Sequence, residues 1–187
     1  ASVAIGYRAL KTQNYGSATD AFNVAIGNVA GTSITTGALN TYVGTFAGSA
    51  SQTTSNNTAV GAFAFDAGTG AANTAVGSGA LGGSSNSADN NTAVGKDAGN
   101  ALSSGNQNVL LGAFVGDALT TGSENVAIGY LSLTTEDGHG KNTAVGYGTL
   151  QAQNAGADAY NVAVGHNAGN DITTGTQNTY IGGLAGD

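Results

Sequence analysis

A five-residue pattern recurs along the whole chain: Asn, then Val or Thr, a variable residue, then Val, Ile or Leu, and finally Gly. The closing glycine, called here the marker glycine, occurs eleven times in 187 residues, at intervals of 16 to 21 residues. A short period maintained over a whole chain predicts a repeat architecture in which each copy stacks on the next. The marker glycines are Gly6, Gly27, Gly44, Gly61, Gly77, Gly95, Gly112, Gly129, Gly146, Gly165 and Gly182.

The pattern before each marker glycine favours a short strand. Helix is disfavoured by the 32 glycines and by the period of two in the apolar residues. Alternate strand residues share a face, so we expect the residues three and one before the glycine to face a core as one β-branched stripe. The usual Ala between them is expected to face outward. The predicted fold is all-β: a parallel β-solenoid of about eleven 17-residue rungs in a single domain, 1–187, belonging to a longer fibre protein.

The remainder of each repeat predicts a second strand and a corner. Three and four residues after the marker glycine stands Ala-Gly or Ala-Leu, which predicts the second strand. Several copies then close on a sequence such as Ile34–Gly37, where we expect the glycine to supply a positive φ. Extra residues are confined to this part, in Lys11–Phe22 and Gln151–Tyr160, so insertions should bulge from one side of the stack.

The asparagine four residues before the marker glycine is present in ten copies, and Ser2 replaces it in the first. Stacked rungs would place these side chains above one another as an amide ladder. We expect a structural role, because a binding site rarely needs the same residue on every rung. The ladder residues are Asn23, Asn40, Asn57, Asn73, Asn91, Asn108, Asn125, Asn142, Asn161 and Asn178.

A longer period of four rungs lies on top of the repeat. On one rung in four the usual Ala two before the marker glycine becomes large, and a second large residue follows two after the glycine. Because exposed apolar clusters promote association, these pairs are predicted to form an interchain contact. They are Tyr42 with Phe46, Leu110 with Phe114, and Tyr180 with Leu184.

Composition excludes several classes of function. Four Lys and Arg against eleven Asp and Glu, a net charge of −7, argue against binding nucleic acid. The chain has no cysteine for a disulfide or a thiolate metal site, and no apolar run long enough for membrane insertion. The regular placing of the 40% apolar residues argues against disorder.

No catalytic or cofactor motif stands out. Gly77–Gly82 matches G-x-G-x-x-G, but it is one rung among eleven and lacks the βαβ context. His139 and His166 stand in unlike contexts without a nucleophile partner. Glu136 and Asp137 offer at most weak ion binding in a loop. We therefore expect no enzyme activity, no cofactor and no metal site.

The segments Ser2–Gly6, Asn23–Gly27 and Asn125–Gly129, each followed by Ala at the third place, resemble the head repeats of YadA-type trimeric autotransporter adhesins. The 17-residue form, as in Asn167–Gly182, is similar to repeats of phage tail-fibre proteins. These resemblances imply a left-handed solenoid and a homotrimer, extracellular on a virion or a bacterial surface. Its role would be a shaft or head that mediates attachment to a host receptor or spaces a receptor-binding tip.

Two other functions remain open from the residues. Inserted loops and tyrosine-bearing rungs could bind glycan, with Tyr7, Tyr130 and Tyr147 in the place directly after the marker glycine. Ice binding requires a flat outward threonine array, and here Thr alternates with Val in the stripe expected to face the core. That expectation counts against ice binding.

Overall fold

A computed structural model describes residues 1–14, 20–83 and 86–187 of the chain. It contains eleven three-residue strands in one parallel sheet, each paired with the next in chain order. The described residues include no helix. The predicted β-solenoid is therefore confirmed. The strands are β1 Val3–Ile5, β2 Val24–Ile26, β3 Thr41–Val43, β4 Thr58–Val60, β5 Thr74–Val76, β6 Thr92–Val94, β7 Val109–Leu111, β8 Val126–Ile128, β9 Thr143–Val145, β10 Val162–Val164 and β11 Thr179–Ile181.

The side chains of the strands face the opposite sides from those predicted. In β2 to β10 the middle residue is buried, whereas its two neighbours are partly or fully exposed. Ala25, for example, is inside, and Val24 and Ile26 lie outside. The stripe of β-branched residues therefore does not face the core. The narrow interior takes the small Ala together with the buried Asn two residues before it, which lies on the same side of the strand.

The predicted second strand is also wrong, because the side after the marker glycine is a chain of tight turns. The second and fourth residues after the glycine adopt left-handed backbone conformations, as in Val29 (φ 63°) and Gly31 (φ 55°). These turns still bond from rung to rung, since the Gly31 N–H donates to the Ala47 carbonyl at 2.9 Å. A period of 17 residues thus holds one strand and a bonded turn.

The corner that ends at Gly37 requires glycine for a different reason from the one expected. Gly37, Gly105 and Gly122 are outside the left-handed region. A Cβ there would lie 2.3, 2.1 and 2.1 Å, respectively, from a carbonyl oxygen of the following rung. Close stacking of rungs, not a positive φ, requires glycine at this corner.

The core of each rung holds few large side chains, and their position changes from rung to rung. On most rungs the large residue stands four or seven residues after the marker glycine, as Leu81 or Leu102. The rungs are numbered after their strands, β1 to β11. On rung 3 the large residue is Tyr42, two before the glycine. A Cβ on Gly48, four after that glycine, would lie 2.5 Å from the Tyr42 ring. Glycine at one place therefore makes room for the large side chain at another.

This exchange of volume accounts for the large residues at Tyr42 and Leu110 and removes these two from the predicted interchain contact, which stays a prediction for the other four residues. Tyr42 and Leu110 are fully buried within their own chain, so neither is available to a second chain. Tyr180, on the last rung, is partly buried against the same core. The period reflects internal packing at Tyr42 and Leu110.

The inserted segment Gln151–Tyr160 bonds to Lys141 of the preceding rung. In Gln151–Tyr160, Asp158 receives a hydrogen bond from Lys141 at 2.7 Å, which lowers the pKa of the Asp158 carboxyl. In the other insertion, residues 15–19 lie outside the described residues.

Candidate functional site

The outward residues of the strands form one continuous surface, called here the outer face. It consists of two columns that run along the stack, one three residues and one a single residue before the marker glycine. Sixteen of the twenty-two side chains are Val, Ile or Leu, six are Thr, and none is charged. The first column is Val3, Val24, Thr41, Thr58, Thr74, Thr92, Val109, Val126, Thr143, Val162 and Thr179. The second is Ile5, Ile26, Val43, Val60, Val76, Val94, Leu111, Ile128, Val145, Val164 and Ile181.

The outer face is large for an apolar surface in contact with water. Eleven strands at ~4.8 Å and three residues at ~3.3 Å give a face of about 50 by 10 Å, roughly 500 Å² in projection. That area is near the upper end for the largest apolar patch of a monomeric protein. In the middle of the sheet, Val60 and Val94 are 37% and 38% exposed. The largest apolar patches of monomeric proteins are often functional, which makes the charge-free outer face a candidate interaction surface.

The ten ladder asparagines form a hydrogen-bonded column inside the chain. From Asn23 to Asn161, each side-chain oxygen accepts the backbone N–H of the next ladder residue at 2.9 to 3.2 Å. The side-chain N–H groups donate to corner carbonyls, as Asn91 does to Gly105 at 3.0 Å. All but Asn178 are at most 1% exposed. Their amides are thus used within the fold and are not offered to a ligand.

An aromatic ladder runs beside the outer face over rungs 7 to 10. Phe114 meets Tyr130 edge to face at 6.0 Å, Tyr130 stacks on Tyr147 at 5.7 Å, and Tyr147 stacks on His166 at 5.0 Å. Sequence reasoning identified Tyr130 and Tyr147 but missed His166 as their neighbour. The signal was available, since all three occupy the place directly after a marker glycine on consecutive rungs.

The stacking restricts what the aromatic side chains can bind. Sugars stack on aromatic faces, and the faces of Tyr147 are covered by its two neighbours in the ladder. Tyr7 is 67% exposed, with the Arg8 guanidinium 5.1 Å from its ring centre. Glycan contact at Tyr7, Tyr130 and Tyr147 stays a prediction, and at Tyr147 the ring edge and hydroxyl are the groups presented.

The remaining residues of the predicted interchain contact lie at the surface. Phe46 is half-buried and stacks on Phe63 of the next rung at 5.4 Å. Phe114 is half-buried with the Lys96 ammonium 4.6 Å from its ring centre, and Leu184 is exposed. These three side chains flank the outer face, whereas Tyr42 and Leu110 lie behind it.

The sequence motifs that could have indicated catalysis or cofactor binding occupy ordinary positions in the stack. Gly77–Gly82 comprises a marker glycine and its turn, and the described residues after it contain no helix. His166 belongs to the aromatic ladder, and His139 lies beside Glu136 and Asp137. Over the described residues the surface forms no pocket. The same residues contain no helix with the length and apolarity to cross a membrane.

The chain matches no protein-family model, no curated protein and no solved structure. The class that the coordinates define is a parallel β-solenoid repeat protein with one charge-free outer face.

Proposed function

We propose that this chain is a segment of a homotrimeric, left-handed fibre that acts at the exterior of a virion or a bacterial cell. The segment mediates attachment or spaces a receptor-binding tip, and it has no catalytic role. The observation that carries the proposal is the outer face, which runs without a charged residue from β1 to β11.

Association through the outer face would remove its apolar side chains from water. The hydrophobic contribution is about 25 cal/mol per Å² of apolar surface, so covering even half of a 500 Å² face supplies about 6 kcal/mol per chain. Each rung of the isolated chain buries mostly alanine and few large side chains. Association would therefore add apolar burial that the thin core does not provide.

Three chains suit the shape and asymmetry of the outer face. It is only two side chains wide, and its columns differ, since all six threonines stand in the first and none in the second. In a ring of three chains each interface is heterologous, so one column of each chain meets the other column of its neighbour, whereas a two-fold dimer would pair each surface with itself. Three narrow faces around a common axis cover both columns of every chain. This arrangement also keeps all three chains parallel, as a fibre requires.

The oligomeric state of the full chain tests this proposal. We expect a trimer by native mass spectrometry and light scattering. Val76→Glu, in the middle of the face, should yield monomers because three carboxylates would be buried near the axis. Ser104→Glu, at an exposed corner away from the strands, is the matched control and should remain trimeric. A stable unmodified monomer at micromolar concentration would sink the proposal.

One observation favours a second function, ice binding. The threonines were expected to face the core, but their stripe lies on the outer face. Thr41, Thr58, Thr74 and Thr92 stand on four consecutive rungs in register with valines of the second column. An ice-binding chain would keep this face free, so it would be monomeric and show strong thermal hysteresis. Thr74→Lys would abolish the hysteresis, whereas a trimer with a covered face would show none.

A further inference from the structure

One buried carboxylate breaks the pattern of the core. Some rungs have a large residue four places after the marker glycine. Seven places after the glycine, the other rungs of this kind carry an uncharged residue, such as Gln153 on rung 9. On rung 8 this place holds Glu136, which is 0% exposed. Its Oε1 accepts the backbone N–H of His139 at 3.0 Å. Its Oε2 is buried and has no hydrogen-bond partner.

Two further ligand groups lie beside this carboxylate. One ligand atom each of Glu136, Asp137 and His139 can be chosen so that all three lie within 4.8 Å of one another. The Nδ1 of His139 is 3.3 Å from Glu136 Oε1, is buried, and makes no hydrogen bond. The cluster thus combines a buried carboxylate oxygen without a hydrogen bond, a buried imidazole nitrogen whose neighbour is the other carboxylate oxygen, and the exposed carboxylate of Asp137.

The charges of the cluster do not balance. Two carboxylates face one imidazole, so the net charge stays negative even when His139 is protonated. Lys141 is the nearest ammonium along the chain, and it is committed to Asp158 at 2.7 Å. Leaving a buried carboxylate oxygen without a counter-charge or a donor destabilises the fold. A bound cation would remove this destabilisation.

The neighbouring rungs hold the backbone of this loop in place. The Asp137 carbonyl accepts the Thr121 N–H of rung 7 at 3.1 Å. On the other side, the Gly140 N–H donates to Asp158 of the rung 9 insertion at 3.1 Å. The three ligand groups therefore project from a loop fixed on both sides, which limits the reorganisation that binding would require.

We propose that Glu136, Asp137 and His139 form a binding site for a divalent transition metal of the zinc class. One imidazole and two carboxylates suit Zn²⁺, which takes four ligands and accepts nitrogen and oxygen. Ca²⁺ prefers six to eight oxygens, and this site has too few. Water completes the coordination, and the ion braces the corner of rung 8 against the rung 9 insertion. The site does not depend on the number of chains in the assembly.

Calorimetric titration of the untagged, chelator-treated full chain with Zn²⁺ alone tests this site. We expect one ion per chain and a Tm that rises with free Zn²⁺. Glu136→Gln and His139→Gln should each weaken binding at least tenfold, since each removes a ligand. Gln is the natural residue at the equivalent place of rung 9, so Glu136→Gln should fold. His166→Gln, at the other histidine of the chain, is the matched control and should bind like the unmodified chain.

Absorption of the unmodified chain with Co²⁺ provides a measurement that needs no variant. Visible bands of a four- or five-coordinate ion, displaced by equimolar Zn²⁺, would support the site. The proposal is overturned if Zn²⁺ produces neither heat nor a Tm shift. It is equally overturned if both ligand variants bind as tightly as the unmodified chain, or if Co²⁺ retains the spectrum of the hydrated ion.

Discussion

On the inner side of the strands the large side chain changes place from rung to rung, whereas on the outer side two β-branched or apolar columns are nearly constant. Tyr42 fills rung 3 from the strand, and Leu81 fills rung 5 from the turn. The outer columns differ only among Val, Ile, Leu and Thr over all eleven strands. An interior needs only constant volume, so it tolerates exchange between positions. A surface that contacts a repeating partner needs the same side chain at the same place.

The largest effect should come from emptying rung 3. Tyr42→Ala should lower the free energy of unfolding by about 3–5 kcal/mol, because it leaves a cavity in a core with few large residues. Gly48→Leu in the same chain should restore more than half of that loss, since it moves the volume to the turn as on rung 5. Denaturant unfolding of the two single variants and the double variant measures the exchange.

The control for this cycle is the single variant Gly48→Leu, which should be strongly destabilised because its side chain would overlap the Tyr42 ring. Leu occupies the same left-handed turn position on rung 5, as Leu81 with φ 48°, so backbone strain alone does not forbid it. If the double variant is less stable than Tyr42→Ala, rung volume is not exchangeable and this account of the core is wrong.

The asparagine ladder is the constant element of the interior, and cutting it should have the next largest effect. Asn91→Ala leaves the Asn108 N–H and the Gly105 carbonyl without their partner. At about 1–3 kcal/mol for each unsatisfied buried group, we expect a loss of about 2–4 kcal/mol in denaturant unfolding. Asn28→Ala, at an exposed position, should change stability by less than about 0.5 kcal/mol. Equal losses in both variants would contradict the role of the ladder.

Alkaline pH should distinguish the buried tyrosine from the exposed ones. Burial raises the pKa of Tyr42 from 10.0 to about 12. The folded state then keeps the phenol proton where the unfolded state has lost it, so this stability is fully present below pH 10. It is lost as the pH rises to about 12, and two units correspond to about 2–3 kcal/mol.

The measurement is the free energy of unfolding between pH 9 and pH 12. Tyr42→Phe should flatten the alkaline decline, although it also loses the hydrogen bond to Ser51 at 3.0 Å. Tyr7→Phe, at a largely exposed ring, should leave the decline as in the unmodified chain. A decline that persists in Tyr42→Phe would show that another group causes it.

The aromatic ladder beside the outer face should contribute least. Tyr147→Ala removes two stacking contacts, each worth about 0.5–1.5 kcal/mol when well packed. Because the ring is half exposed, we expect a loss of about 1–2 kcal/mol by thermal or denaturant unfolding. Tyr7 has the Arg8 guanidinium above its ring but no stacked ring in the ladder. Tyr7→Ala should therefore lower the free energy of unfolding by less than Tyr147→Ala does. A larger loss at Tyr7 would mean that stacking between rungs is not what holds the ladder.

The period of the marker glycines was sufficient to predict one stack of parallel rungs along the chain. The side on which each residue lies was not predictable from alternation alone, because a period of two has the same form in either orientation. The position of the asparagines, two residues before the usual Ala, contained the missing information. Asn23 and Ala25 share a side of the strand, and a ladder that excludes water must face inward.

The exchange of core volume could also have been found in the sequence. Leu81 stands where rungs 3 and 6 have glycine, and those rungs carry Tyr42 and Leu102 instead. For the proposed metal site the sequence indicated only weak ion binding at Glu136 and Asp137, because the stronger evidence is the burial of Glu136 and the absence of a hydrogen bond at its Oε2 and at His139 Nδ1. Neither property follows from residue spacing.

The most direct test of the account is the number of chains in a cross-section of the intact assembly, with the side of the solenoid that faces the axis. Electron cryomicroscopy of the full chain measures both. We expect three parallel chains whose outer faces, represented by Val60, Val76 and Val94, meet around a common axis. A single chain with this face in solvent, or an assembly joined through the turns, would contradict the central claim.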